Sequence, residues 1–333
     1  MSSGEFQIII VLHSIFFTFS VVLNGFLLFC IFKFTPKSTS SFSLVMIVHA
    51  MLDLTGTASC FMSMSRILNL ETRIVLISHG PCHLASTRLC YLSYDGYLSA
   101  AACVFYTNMC SFRVRYFILK EGSIKRWHVV RLLCAFVGPH NLALFVLFAF
   151  SQIPDAQAAA LIAKYTAYNT TGLVITGTLP ITSIGIGYAH FLCIICIIPA
   201  YIVTWKLRSR TVHTLDAMAP KMSVTTVMMQ QRFVKLLTLQ ALTPLLPVTS
   251  AFAYVVSQTL QLHHPVLEAS DQMYAELPAI VNPIIVFVYL PTYSRVFREF
   301  LNRCKTPALV GVGIVSHQKS FISSTTTTSE REG

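Results

Sequence analysis

The sequence predicts an all-α protein: a bundle of seven membrane-spanning helices with an extracellular N-terminus and a cytoplasmic C-terminus. Three observations carry this. The 333 residues are 54% hydrophobic and 11% charged, whereas a soluble domain usually carries about 25% charged residues. Long apolar runs alternate with short polar stretches, and about 20 apolar residues suffice to cross a hydrocarbon core. When the runs are counted as spans, 20 of the 24 Lys and Arg fall on one side, three on the other, and Arg88 at the mouth of a span. Positive charge collects on the cytoplasmic side of membrane proteins, and this sets the orientation.

The elements follow in order. Span one is Ile8–Phe32, 25 residues without Lys, Arg, Asp or Glu. It begins close to the N-terminus and no basic segment precedes it, so a cleaved signal peptide is not expected. Lys33 and Lys37 follow in a short loop. Span two runs from about Phe42 to Ser65 with Asp53 inside, and the next loop holds Arg66, Glu71 and Arg73. Span three starts near Cys82. Its middle, Leu89–Phe112, carries Asp95 as its one charge, and Arg113-Val-Arg115-Tyr116 makes a basic exit. Span four is Leu132–Phe150. A polar loop then carries Asp155, Lys164 and the sequon Asn169-Thr170-Thr171, a glycosylation candidate on the outer side. Span five lies within Leu179–Trp205, span six ends near Leu260, and span seven, Gln272–Leu290 with Glu276 near its start, is the shortest.

The tail divides in two. Residues 291–304 place Val296, Phe297, Phe300, Leu301 and Cys304 at helical spacing beside Arg295, Arg298 and Arg303. This pattern predicts a juxtamembrane helix lying in the lipid boundary, with Cys304 as a palmitoylation candidate. Residues 1–304 therefore form the membrane domain. Residues 305–333, rich in Ser and Thr, are expected to be a disordered cytoplasmic tail.

Charge and cysteine content exclude some functions. The net charge of +11 sits between apolar runs, so it marks orientation rather than a nucleic-acid partner. Most of the ten Cys are embedded in the spans, where they act as small apolar side chains. Nothing in their spacing points to zinc, and no metal or other cofactor is implied. Neither Gly-X-Ser-X-Gly nor His-Glu-X-X-His occurs, so an enzyme is not expected. His263-His264 reads as a solvated loop pair.

Ionisable groups inside a bilayer cost roughly 2.5–3.5 kcal/mol and therefore face protein or water. Asn24, Asp53, Asn282 and Pro283 can form one polar network, with Pro244 as a nearby hinge. Pro199 and Pro247 break further backbone hydrogen bonds. Arg88, Tyr91 and Asp95 share one helix face, flanked by Tyr94, in the outer half of span three. With Glu276 they are the candidate ligand contacts; the alternative is internal pairing, such as Arg88 with Glu276.

Several segments together resemble the nematode serpentine chemoreceptors of class delta (Srd), within the wider group of G-protein-coupled receptors. They are Pro36-Lys37-Ser38, Ser78-His79-Gly80-Pro81-Cys82, Ser111–Phe117, Asn282-Pro283 and Pro291–Arg295. The resemblance covers about residues 8–305. It implies a chemosensory receptor in the plasma membrane of sensory neurons or their cilia. Such a receptor binds an environmental small molecule, serves olfaction or a related sense, and signals through a heterotrimeric G protein. Arg113, Arg115 and Tyr116 would face that G protein.

The chain departs from rhodopsin-like receptors at three places. Their Asp-Arg-Tyr stands here as Val114-Arg115-Tyr116, without the acid, so the resting lock on Arg115 must differ or be absent. Their Asn-Pro-X-X-Tyr stands as Asn282-Pro283-Ile284-Ile285-Val286. Their disulfide links the top of span three to the second outer loop. Cys82 is placed for it, but residues 151–178 hold no Cys, so Cys82 has no assigned partner. Their polar network binds sodium; here a structural hydrogen-bond network is the preferred reading. A small-solute transporter or ligand-gated channel is the alternative function. No paired halves favour the first, and the charge distribution opposes an inverted channel.

Overall fold

In the computed structural model, residues 3–35, 40–166, 168, 172–249, 252, 256 and 265–305 are described. The sequon at Asn169, the Pro36-Lys37-Ser38 segment, the His263-His264 pair and the tail beyond residue 305 lie outside them.

Helices α1 (Ser3–Phe34), α2 (Ser40–Ser63) and α3 (Thr87–Glu121) open the bundle. The outer faces of α1 leave Ile8, Phe19 and Phe32 exposed, which is the surface a lipid environment tolerates. Helix α3 is the interior element, with side chains such as Tyr91, Asp95, Cys103 and Arg115 all buried. Ser86 caps its start by accepting a hydrogen bond from the Leu89 amide at 3.1 Å.

The fourth span is broken, where a single helix from Leu132 to Phe150 was expected. Helix α4 (Arg126–Phe136) starts earlier, and α5 (Gly138–Ala149) resumes after Val137. Pro139 has no amide to continue the ladder, which explains the break. The fifth span starts at Ile184, inside the expected Leu179–Trp205 segment, and its helix runs on past Trp205 to Met218. It consists of α7 (Ile184–His190), a π-type stretch Phe191–Ile195 and α8 (Ile197–Met218), with α6 (Asp155–Tyr165) preceding it in the chain. The Cys196 amide reaches back five residues to the Phe191 carbonyl, at 2.9 Å. Pro199 cannot donate to the Ile195 carbonyl, so the widened turn lies where the ladder is interrupted. Gly185 enters this span against α5 so closely that a Cβ would sit 2.4 Å from the Leu147 carbonyl oxygen. Small residues at such crossings let two backbones approach.

Helix α9 (Val224–Leu242) ends in a turn at Thr243-Pro244, and residues 245–249 are helical again. The last span, α10, is Pro265–Tyr289. The helix begins about two turns before the expected Gln272 start. Glu268, expected in a loop, lies in its first turn. Helix α11 (Pro291–Lys305) matches the expected amphipathic helix, with Arg295 donating to Glu299 at 3.0 Å. Among the described residues, five helical stretches are apolar and long enough to cross a membrane: Gln7–Phe34, Ser41–Ser63, Arg126–Ala149, Ile184–Lys221 and Glu268–Tyr289. Helix α3 has the length, but Asp95 and its Tyr, Ser, Thr and Asn side chains lower its hydropathy.

One end of the bundle carries a structure the sequence reading treated as loops. Strands β1 (Ser65–Leu70) and β2 (Arg73–Ser78) form a hairpin turned by Glu71 and Thr72, and β3 (Val174–Gly177) pairs antiparallel with β2. Glu71 adopts a left-handed backbone, φ 58°. Leu68, Val75, Ile77 and Ile175 pack with Leu161 and Ile162 of α6 in a small apolar core. A disulfide joins Cys82 to Cys90, eight residues apart, so Cys82 does have a partner. It ties the 3-10 turn Pro81–Leu84 to the first turns of α3.

Candidate functional site

The polar residues of the spans converge where α1, α2, α3, α9 and α10 meet. The Asn282 amide donates to Asp53 at 3.0 Å, and the Thr243 hydroxyl donates to the Asn282 side-chain oxygen at 2.8 Å. Asn24 reaches a different partner, donating to the Ala279 carbonyl at 2.7 Å and the Ser20 carbonyl at 3.0 Å. Asp53 and Asn282 are thus bonded directly, whereas Asn24 connects to Asp53 through the Ser20 and Thr57 hydroxyls; Pro283 is next in sequence and Pro244 is beside Thr243.

Asp53 stands in the wall between two cavities. The upper one holds about 440 Å3 including its open mouth, and its lining includes Thr57, Tyr97, Phe105, Pro244 and Ala275. The lower one, about 340 Å3, is lined by Asn24, His49, Ser111, Gln240 and Asn282 among others. Phe42, which lines the lower cavity, packs edge-on to Phe233 of α9 with centroids 5.5 Å apart. Phe233 in turn lies under Arg115, whose guanidinium carbon is 4.2 Å from the ring centroid. Arg115 is only 2% exposed. Val114, also buried, supplies no acid beside Arg115, and the aromatic ring of Phe233 on α9 is the contact that faces its guanidinium. Arg113 is exposed and sits over Phe117 at 5.6 Å, and Tyr116 is half-buried.

Of the five candidate ligand contacts, Arg88 lies over the Tyr91 ring at 5.8 Å and Tyr91 and Tyr94 share Phe148, whereas Glu276 pairs elsewhere. Arg88 is exposed and donates to Gln152 at 2.7 Å, rather than pairing with Glu276. Tyr91 stacks on Phe148 of α5 at 5.3 Å and donates to the Phe148 carbonyl at 2.9 Å. Tyr94 packs between Tyr97 and Phe148. Asp95 is fully buried, accepting from Ser99 at 3.5 Å. Glu276 pairs with His13 of α1 at 2.8 Å, both buried. None of the five lines either cavity above.

Sequence reasoning missed the ties at the sheet end. Arg66 of β1 forms a buried ion pair with Glu268 of α10. Tyr168 donates to the other Glu268 oxygen at 2.9 Å, and its ring lies 4.7 Å from the Arg66 guanidinium. Burial, reinforced by the Glu268 carboxylate, pushes the Tyr168 phenol up to about 12. The Gln272 side chain accepts from the Ser65 amide and donates to Ser63 at 2.7 Å. The sheet is thus fastened to α10 by four groups from β1, α2 and the approach to β3.

His79, after β2, is 8% exposed. Burial, with the Arg66 guanidinium nearby, pushes its imidazole from 6.5 down to about 4. The folded chain keeps His79 neutral over that interval while the unfolded chain takes up a proton, so stability falls as pH drops from 6.5 towards 4. The full effect is about 3 kcal/mol. Thermal unfolding across this pH range should show the slope, and His79→Gln should flatten it. An identical slope in the variant would assign the effect to other groups.

Comparison with known proteins places this geometry. The family described as serpentine type 7TM GPCR chemoreceptor Srd matches residues 9–299. The chain belongs to the Srd family. Among curated relatives, serpentine receptor class delta-1 of Caenorhabditis elegans is 23% identical over 314 residues, covering 92% of this chain and 82% of that one. Class delta-18 of the same organism is 25% identical over 276 residues, covering 81% of each. The crystal structure of squid rhodopsin superposes with a TM-score of 0.63 at 15% identity, covering 92% of this chain and 89% of that one. That likeness establishes the seven-helix membrane fold. The Srd chain is therefore a multi-pass membrane protein of a chemoreceptor family, not of an enzyme family.

Proposed function

We propose that this Srd chain is a chemosensory receptor that binds an environmental small molecule from the sheet end and activates a heterotrimeric G protein at the basic end. The sheet end faces outside and the basic end faces the cytoplasm, in line with the distribution of Lys and Arg. The observation that carries the reading is the continuous series of contacts from the upper cavity to Arg115. Asp53 belongs to both cavities, Phe42 lines the lower one, and Phe233 links Phe42 to Arg115. A ligand in the upper cavity would touch Asp53 and Pro244, and so would bias the packing of α9 against α3. Movement of α9 would uncover Arg115 beside Arg113 and Tyr116 as the G-protein contact. The plasma membrane of sensory neurons is the expected location.

Orientation is tested with an epitope at each terminus of the full chain, probed on intact and permeabilised cells, and with a glycosidase shift at Asn169. An accessible N-terminus, a protected C-terminus and a shifted Asn169 band are expected. An internal N-terminus would overturn the reading, and both termini on one side would mean that a span is miscounted.

A further inference from the structure

The upper cavity has a one-sided chemistry. Among the described residues Asp53 is its only charged lining residue, and it is 5% exposed. Its side-chain partner is the neutral Asn282 amide, and no Lys or Arg among the described residues lines the cavity. His49, one turn away on α2, lines only the lower of these two cavities and makes no hydrogen bond to Asp53 among the described residues. The hydroxyl of Thr57 is already engaged, donating to the Asp53 carbonyl at 2.7 Å and meeting Ser20 at 3.0 Å. The remaining wall is apolar or aromatic: Leu52, Ala101, Val104, Phe105, Pro244 and Pro247.

An ionised carboxylate in such surroundings is costly unless a countercharge with hydrogen-bond donors reaches it. The protein supplies none from this cavity wall. A carboxylate or phosphate ligand would meet like charge without a compensating cation. A strongly hydroxylated ligand would leave most of its polar groups facing alkyl walls. An alkylammonium satisfies both parts: its N–H groups donate to Asp53, its charge is offset, and its carbon skeleton fills the apolar space. The rings of Tyr97 and Phe105 add faces that also favour a cation.

We infer that the upper cavity is a binding site for a compact, largely apolar primary amine in its ammonium form, anchored by Asp53. This rests on the receptor reading only for its biological use, because the site itself is defined by the cavity and its carboxyl group.

The test uses the purified full chain in lipid nanodiscs and reads the thermal unfolding midpoint, so no G protein is involved. The additives are n-butylammonium chloride, its neutral analogue n-butanol, sodium butyrate, and sodium chloride at matched ionic strength. A saturable rise with n-butylammonium alone is expected, as for any ligand that binds only the folded state. Asp53→Asn should weaken the apparent affinity at least about tenfold, the loss of one charge-assisted contact. Ala101→Leu keeps the carboxyl group and narrows the cavity, and should weaken it to a similar degree. That variant decides the matter if Asp53→Asn does not fold. Three results would overturn the proposal. The first is an equal saturable rise with n-butanol. The second is an equal rise with sodium chloride, which would make this a site for an inorganic cation only. The third is an n-butylammonium response unchanged in both variants. Failure of G-protein coupling in a separate signalling assay would leave this result standing.

Discussion

Glu268→Gln should lower the unfolding free energy by about 3–5 kcal/mol, the usual cost of removing one partner of a buried ion pair. The side chains of Arg66 and Glu268 are 3% and 1% exposed, so water cannot replace the lost charge. Glutamine keeps the size and one hydrogen-bond acceptor, and the loss therefore reports the charge rather than the packing. Tyr168 loses part of its acceptor as well, which adds to the effect. The double variant Arg66→Met, Glu268→Leu should recover most of the stability, because apolar replacement of a buried pair removes both desolvation costs. Denaturation of the single and double variants in detergent gives the two numbers. A cost below about 1 kcal/mol for Glu268→Gln would mean that the pair behaves as a solvated surface bridge.

Phe233→Ala should raise basal signalling in the absence of ligand. The ring lies 4.2 Å below the Arg115 guanidinium, and a desolvated contact of this type contributes about 2 kcal/mol. If that contact holds the resting packing of α9 against α3, its loss shifts the balance towards the open form about 30-fold. Phe233→Trp keeps an aromatic face and should retain low basal activity. The measurement is ligand-free nucleotide exchange on a reconstituted G protein, at matched receptor levels. Equal basal rates in wild type and Phe233→Ala would show that Arg115 is held by something other than this ring.

Much of the bundle was legible in the sequence because water-insoluble length is a local property. Each span announces itself by its own residues, and an Asp or Asn inside one must find a partner, which is why Asp53 and Asn282 could be read as a network. The break at Pro139 follows from a rule as local as the spans themselves, although the hydropathy of Leu132–Phe150 hid it. The sheet end was not legible, for a physical reason. Strand β1 is buried at all positions but Asn69, and the last four residues of β2 are buried in succession. A strand covered on both faces shows no alternation, so these residues looked like a loop between spans. Glu276 was read as a ligand contact because its partner, His13, stands 263 residues earlier, beyond any local pattern. Cys90 sits inside an apolar run, where a cysteine reads as packing, so the bond to Cys82 left no separate sign. The contact between Arg115 and Phe233 was equally hidden, since nothing in Phe233 itself marks it as the seat for Arg115.

The widened turn at Phe191–Ile195 changes how variants in this span must be interpreted. Inserting one residue into a helix rotates everything beyond it by about 100°, the angle between neighbours at 3.6 residues per turn. A single helical wheel drawn from Ile184 to Met218 would thus put the inward face of α8 on the wrong side. An alanine scan scored on that wheel would find its sensitive positions drifting from buried to exposed halfway along. Two wheels, joined at Cys196, are the proper map. A relative lacking the turn would need a one-residue gap here before any of its downstream positions could be matched to this chain.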